Sequence, residues 1–234
     1  MNITIPRECN FAERIRTVLP HVSKDTMRPV LTRVLTRVRL HERNGYLYAD
    51  ATDSYTAVRV RLTDEPLRTA TAEGFDVQVE PSVLKSVVAA VRKPVVPVNV
   101  EVDDDGTVTF HDTVSGASFS GRDFSSIGEY PNLNGIGFSD PGTHVRKGGP
   151  IAPQLAFGPQ HFAKFAAANL PKDATIRFQP FASPGDHETQ LRPTYVTLYV
   201  QQVTAKQQTI RHEVDWFAAL VMPVRIPWLD PTPV

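Results

Sequence analysis

The side chains able to do chemistry are scattered along this chain, and no catalytic or metal-binding motif gathers them. Cys9 is the single cysteine, so neither an internal disulfide nor a cysteine-based zinc site can form. The histidines, among them His161, His187 and His212, fall at no ligand spacing such as H-E-x-x-H and read as solvated or hydrogen-bonded side chains. Asp103-Asp-Asp-Gly lacks the alternating acidic positions and distal glutamate of a calcium loop, so a hairpin turn is expected there. No phosphate-cradling glycine loop and no G-x-S-x-G nucleophile elbow occurs. The inventory predicts a binding protein, not an enzyme, with no metal and no cofactor.

What remains is charge and its distribution. Lys and Arg number 25 against 25 Asp and Glu, a formal net charge of zero, which argues against non-specific coating of nucleic acid. The balance is uneven: residues 1–61 carry 11 cationic and 6 acidic side chains, residues 62–133 carry 5 and 12, and residues 134–234 carry 9 and 7. A basic surface on one side of the molecule is therefore permitted. The N-terminus has no secretory pattern and no apolar run reaches membrane-spanning length, so a reducing cytoplasm is the expected location.

Three stretches share one arrangement: Ile3–Leu19, Val77–Val91 and Leu155–Leu170 each read as a short strand, a proline or polar break, and a helix of about three turns. Pro81 and Pro159 stand where a helix tolerates proline, in its first turn. Apolar residues follow helical spacing at Phe11, Ile15, Val18 and Leu19, then Leu84, Val87, Val88 and Val91, then Phe162, Phe165, Ala166 and Leu170. Strands are expected after each helix: Arg33–Glu42, Tyr46–Ala51 and Tyr55–Leu62; Val98–Val102, Thr107–His111 and Ser118–Arg122; Thr175–Phe181, Tyr195–Val203 and Phe217–Val224. Asn44-Gly45 and Asp105-Gly106 are hairpin turns by type. The result is a repeated β-α-β-β-β unit and an α+β fold, antiparallel sheets with helices on one face. Residues 1–138 form a first domain of two units, 139–153 a linker, and 154–234 a second region of one evident unit and a C-terminal tail.

Several motifs fall in an order that resembles the DNA sliding clamps, closest to the bacterial DNA polymerase III beta clamp. They are Met1-Asn-Ile-Thr-Ile-Pro-Arg-Glu, Met27-Arg-Pro-Val-Leu, Ala51-Thr-Asp-Ser-Tyr, Asp123-Phe through Tyr130-Pro-Asn-Leu, and Val221-Met-Pro-Val-Arg-Ile. They cover residues 1–138 well and about 151–226 in outline. The resemblance implies a ring around duplex DNA, with helices lining the hole and sheets outside. Sliding needs phosphate attraction without base readout, so cations on the helices are the expected contacts. The candidates are Arg14, Arg16, Lys24, Arg28, Lys85, Arg92, Lys93, Lys164 and Lys172, of which Arg28 matches a DNA-contacting arginine of the family.

The resemblance also implies a hydrophobic pocket for short peptide motifs of polymerases. One wall is Thr52, Asp53, Ser54, Tyr55 and Thr56, where Ser54, Tyr55 and Thr56 replace the family's Gly, His and Arg; the other is Met222, Pro223, Val224 and Arg225. The implied partners are duplex DNA, a replicative DNA polymerase, a clamp loader and further copies of the chain, a trimer being favoured over a dimer. The implied function is a short, phage-like processivity factor. The alternative is a clamp-fold adaptor or decoy that binds proteins without encircling DNA. Beyond the last strand, Trp228 and Leu229 are expected to fold over the groove or to dock on a neighbouring subunit.

Overall fold

The computed structural model describes residues 1–25, 34–67, 74–91, 97–133, 159–168, 170–171, 174–179, 194–203 and 209–221. The first unit opens with β1 (Asn2–Ile5) and a 3-10 turn, Arg7–Cys9. Asn10, at a φ of 47°, then turns the chain into α1 (Phe11–Val18). Asparagine takes this left-handed conformation more readily than most residues. A second 3-10 turn, Leu19–His21, extends α1. Three strands follow: β2 (Val38–Arg43), β3 (Tyr46–Thr52) and β4 (Thr56–Arg61). Asn44 and Gly45 join β2 to β3 with φ of 54° and 83°, the pair of positive values a type I′ hairpin requires. The second unit repeats the plan with β5 (Asp76–Val79), α2 (Pro81–Ala90), β6 (Val98–Val102), β7 (Thr107–Asp112) and β8 (Ser118–Arg122).

The two units interlock by exchanging first strands. β1 pairs with β6, setting Ile5 opposite Val98 and Ile3 opposite Val100. β5 pairs with β2, setting Val79 opposite Val38 and Val77 opposite Leu40. The matching registers relate the units by a local two-fold axis, so neither sheet is complete without the other unit. Inward side chains of both sheets join α1 and α2 in one core, where Ile5, Ile15, Leu40, Leu84, Val98 and Phe110 are fully buried.

The third unit contributes α3 (Pro159–Ala167), β9 (Ala174–Gln179), β10 (Thr194–Val203) and β12 (Phe217–Val221). It also contains β11 (Thr209–Glu213), which the sequence does not lead one to expect. Thr209-Ile-Arg-His-Glu carries one aliphatic residue and no alternating apolar face. Its pairing comes entirely from β10, with Tyr199 opposite Glu213 and Val203 opposite Thr209. The 214–216 segment then bulges, and β12 resumes against the start of β10, Val196 opposite Ala219. β12 also pairs with β4, and the larger sheet therefore runs β5-β2-β3-β4-β12-β10-β9, with β11 continuing the β12 lane. The 139–153 linker lies outside the described residues. No helix among the described residues is long and apolar enough to cross a membrane.

Candidate partner-docking junction and helix face

The β4–β12 pairing fixes what the Thr52–Thr56 turn lies beside. Its register sets Val221 opposite Thr56 and Leu220 opposite Ala57. The Thr52–Thr56 turn therefore adjoins the point from which the chain continues to Met222. Met222, Pro223, Val224 and Arg225, like Trp228 and Leu229, lie outside the described residues.

Asp53 organises the turn. Its Oδ1 accepts from the Tyr55 N–H at 3.1 Å, the Thr56 N–H at 2.8 Å and the Thr56 hydroxyl at 3.0 Å. Thr52 Oγ1 donates to the Thr56 carbonyl at 2.8 Å. These bonds hold Ser54 at a φ of 83°, a conformation for which glycine is better suited. Thr52 and Thr56 are buried, whereas Ser54 and Tyr55 are exposed, with Tyr55 at 54%. The turn thus carries an exposed aromatic ring at its tip.

Helix α3 is pinned to this turn at three points. Lys164 donates its ammonium to Asp53 Oδ2. Tyr55 stacks on buried His161 with ring centroids 5.2 Å apart. Phe165 meets His21 edge-on at 5.0 Å, while His21 Nδ1 lies 3.2 Å from the Thr56 hydroxyl. Burial alone would raise the Asp53 pKa, but the Lys164 ammonium and the Thr56 N–H hold it below the usual carboxylate range. His21 is pushed the opposite way for a base, down to about 3, first by burial and then by the Lys164 charge.

The cations expected on the helix face separate into different environments. Lys24, just beyond the second 3-10 turn, and Lys85, on α2, are exposed and line a cleft of about 700 Å³ between the first two units and α3. Arg16 is also exposed, and its guanidinium donates to the Val88 carbonyl of α2 at 3.0 Å. Arg14 is a correction: it is not on an open face but only 6% exposed. It donates to the Arg61 carbonyl at 3.0 Å and to Asp64 at 2.6 Å, with the Trp216 ring 5.6 Å away. Its position one residue before Ile15 turns it towards β4, where pairing offsets the cost of burial. Lys164 is likewise half-buried in its pair with Asp53, so its charge is directed at the protein. Arg28, Arg92, Lys93 and Lys172 lie outside the described residues. No group of three or more His, Cys, Asp or Glu side chains poised for a metal occurs among the described residues.

No protein-family model matches the sequence, and no curated protein matches it. Solved structures do. A DNA polymerase III beta chain from Streptococcus pneumoniae superimposes with a TM-score of 0.62 at 17% identity, over 97% of this chain and 65% of that one. A DNA polymerase sliding clamp from Bacillus subtilis gives 0.52 at 13%, over 97% and 64%. A sliding clamp from Pseudomonas aeruginosa gives 0.53 at 14%, over 97% and 66%. The fold is that of a DNA sliding clamp. The chain spans about two thirds of the length of the clamps it matches.

Sequence reasoning missed what the clamp fold places on the outer face of the large sheet. Asp50, fully buried, takes a two-pronged bond from Arg59, Nε to Oδ1 at 2.9 Å and Nη2 to Oδ2 at 2.7 Å. His41 Nε2 lies 3.1 Å from the same carboxylate. Burial works against the ionised form, yet Arg59 and His41 hold the Asp50 pKa well below the usual carboxylate range. The Tyr130 hydroxyl donates to the Asp50 carbonyl at 3.3 Å. Beside this network Tyr130 and Leu133 cover Ala57, Ala218 and Leu220, with Val34 and Leu35 completing a second apolar cluster. The alternating polar positions Arg39, Asp50 and Arg59 were the available signal. In sequence they look like an ordinary solvent-facing strand pattern.

Proposed function

We propose that this chain is a DNA polymerase processivity factor: a clamp that assembles with further copies into a ring around duplex DNA and docks a polymerase at the Thr52–Thr56 turn. The observation that carries this reading is the β4–β12 register, which brings the turn beside the start of the Met222–Arg225 segment. Duplex DNA would face the helix layer, drawn by Arg16, Lys24 and Lys85 through phosphate charge and without base readout. The polymerase would insert a short apolar peptide motif against Tyr55 and the chain beyond Val221, in the manner of peptide recognition by preformed grooves. A clamp loader in trans would open the ring, and the clamp itself would do no chemistry. The working location would be the cytoplasm.

The experiment is retention on nicked circular DNA by the full chain and by a Lys24→Glu/Lys85→Glu variant. The wild type should stay on the circle and the variant should bind less. Equal binding by both would refute the role of this helix face. The adaptor reading draws support from a specific observation: Arg14 and Lys164 spend their charge inside the protein. An adaptor would bind the polymerase peptide yet show no retention on the circle.

A further inference from the structure

Asp76 and Gln78 lie two residues apart on β5 and so share the outer face of the large sheet, while Val77 and Val79 turn into the core. Gln78 stands opposite Arg39, which on its other side stands opposite Asp50. After β8 the chain returns over this end of the sheet. The Gln78 N–H donates to Asp123 Oδ1 at 2.8 Å, and the Phe124 N–H donates to the Gln78 carbonyl at 2.9 Å. Gln78 Nε2 donates to the Gly128 carbonyl at 2.9 Å. Where the returning segment meets the β2–β5 pair there is a cavity of about 550 Å³, whose lining includes Arg39, Asp76, Gln78, Gly128, Glu129 and Tyr130.

The polar groups of this cavity leave acceptors over. Arg39 is committed to Asp76 by a fork, Nε to Oδ1 at 2.8 Å and Nη2 to Oδ2 at 2.5 Å, in which the two charges offset each other. Glu129 is exposed and has no ion-pair or hydrogen-bond partner among the described residues. Gln78 is only 3% exposed, and its Oε1 is buried without a donor among the described residues. Turning the amide over would not relieve it, because its nitrogen is the donor to the Gly128 carbonyl. A buried acceptor left unpaired is costly. With Arg39 set against Asp76 and Glu129, the lining carries a surplus negative charge beside that acceptor.

We propose that this cavity docks an arginine side chain presented by a partner protein. A guanidinium carries five N–H donors in a plane and accepts nothing, which is what the leftover groups require. It serves the Gln78 Oε1, the Glu129 carboxylate and the second lone pairs of Asp76, whose side chain is still 42% exposed. A lysine ammonium offers three donors at one point and gives up its water less readily. Ser125, Ser126 and Glu129 form an exposed rim, so a side chain can enter while its own backbone stays outside. The cavity shares no residue with the Thr52–Thr56 turn, and the inference goes beyond the polymerase-docking reading without depending on it.

The test titrates the full chain with a capped Ala-Ala-Arg-Ala-Ala peptide and with its lysine and citrulline counterparts, followed by two-dimensional NMR. The arginine peptide should shift the Gln78, Gly128 and Glu129 amides, and the Gln78 side-chain amide, to saturation. The lysine peptide should bind about threefold more weakly, and the citrulline peptide, which keeps the shape but not the charge, should not saturate. Glu129→Gln, at an exposed position, should weaken the arginine peptide about threefold with an unchanged unfolding midpoint. Gln78→Met, which keeps the side-chain length, should weaken it about tenfold. No saturable shift at these residues, equal binding of the lysine or citrulline peptide, or full affinity in Glu129→Gln would each overturn the proposal. Neither DNA nor a polymerase motif enters the measurement, so this inference and the clamp reading fail separately.

Discussion

Replacing Asp53 by alanine should loosen the junction between the first unit and α3 more than any neighbouring truncation. Asp53 satisfies the N–H groups of Tyr55 and Thr56, the Thr56 hydroxyl and the Lys164 ammonium. Each neutral hydrogen bond contributes about 1 kcal/mol net, and the charged one about 2 kcal/mol. Tyr55 is exposed, so its N–H can turn to water and that loss is largely recovered. Thr56 is buried, and the side chains of Lys164 and Asp53 are only 20% and 13% exposed, which limits rescue by solvent. The expected cost is about 3 kcal/mol, read as a lower urea midpoint at unchanged slope. A double-mutant cycle with Lys164→Met isolates the ionic contact, for which a coupling of about 1–2 kcal/mol is expected. A coupling indistinguishable from zero would refute the idea that Lys164 ties α3 to the turn. It would also return Lys164 to the pool of cations available to phosphate.

Three further outcomes follow from the same geometry. Asp50→Ala should destabilise the chain by about 3–5 kcal/mol in urea unfolding, because it leaves Arg59 buried without its carboxylate partner. Stability should fall in acid through His21: folding holds this ring neutral down to about pH 3, while the unfolded ring takes up a proton below about pH 6.5. The unfolded state then binds more protons, so this contribution is complete above pH 6.5 and amounts to a loss of about 3 kcal/mol by pH 4.5. His21→Phe should flatten that part of the unfolding profile. Finally, Lys85→Glu should weaken binding to any duplex sequence alike and reduce the slope of log K against log salt by about 1. A sequence-dependent loss would contradict a phosphate contact.

Much of the fold is readable from the chain because its signals are local. Asn44-Gly45 and Pro81 mark a hairpin and a helix start through their own backbone preferences, and both hold in the structure. All ten strands and helices expected in the first two units are present, and most rest on apolar periodicity within a few residues. β11 was invisible for the opposite reason: its order comes from β10, and its own side chains carry no pattern. The site divides in the same way. Lys24 and Lys85 are exposed as expected from their places beside the apolar stripes. Arg14 and Lys164 have similar sequence surroundings, yet each meets a distant carboxylate, Asp64 or Asp53, that no local pattern reveals. The same holds for Asp50 and Arg59, whose burial depends on Tyr130 returning across the sheet.

Topology-dependent retention tests the central claim most directly. The protein is assembled on nicked circular DNA, challenged with high salt, and followed before and after a single cut linearises the circle. An encircling clamp should resist salt that strips electrostatic binders and should leave once the ends are free. Loss at high salt before the cut, or equal retention on circular and linear DNA, would contradict a ring.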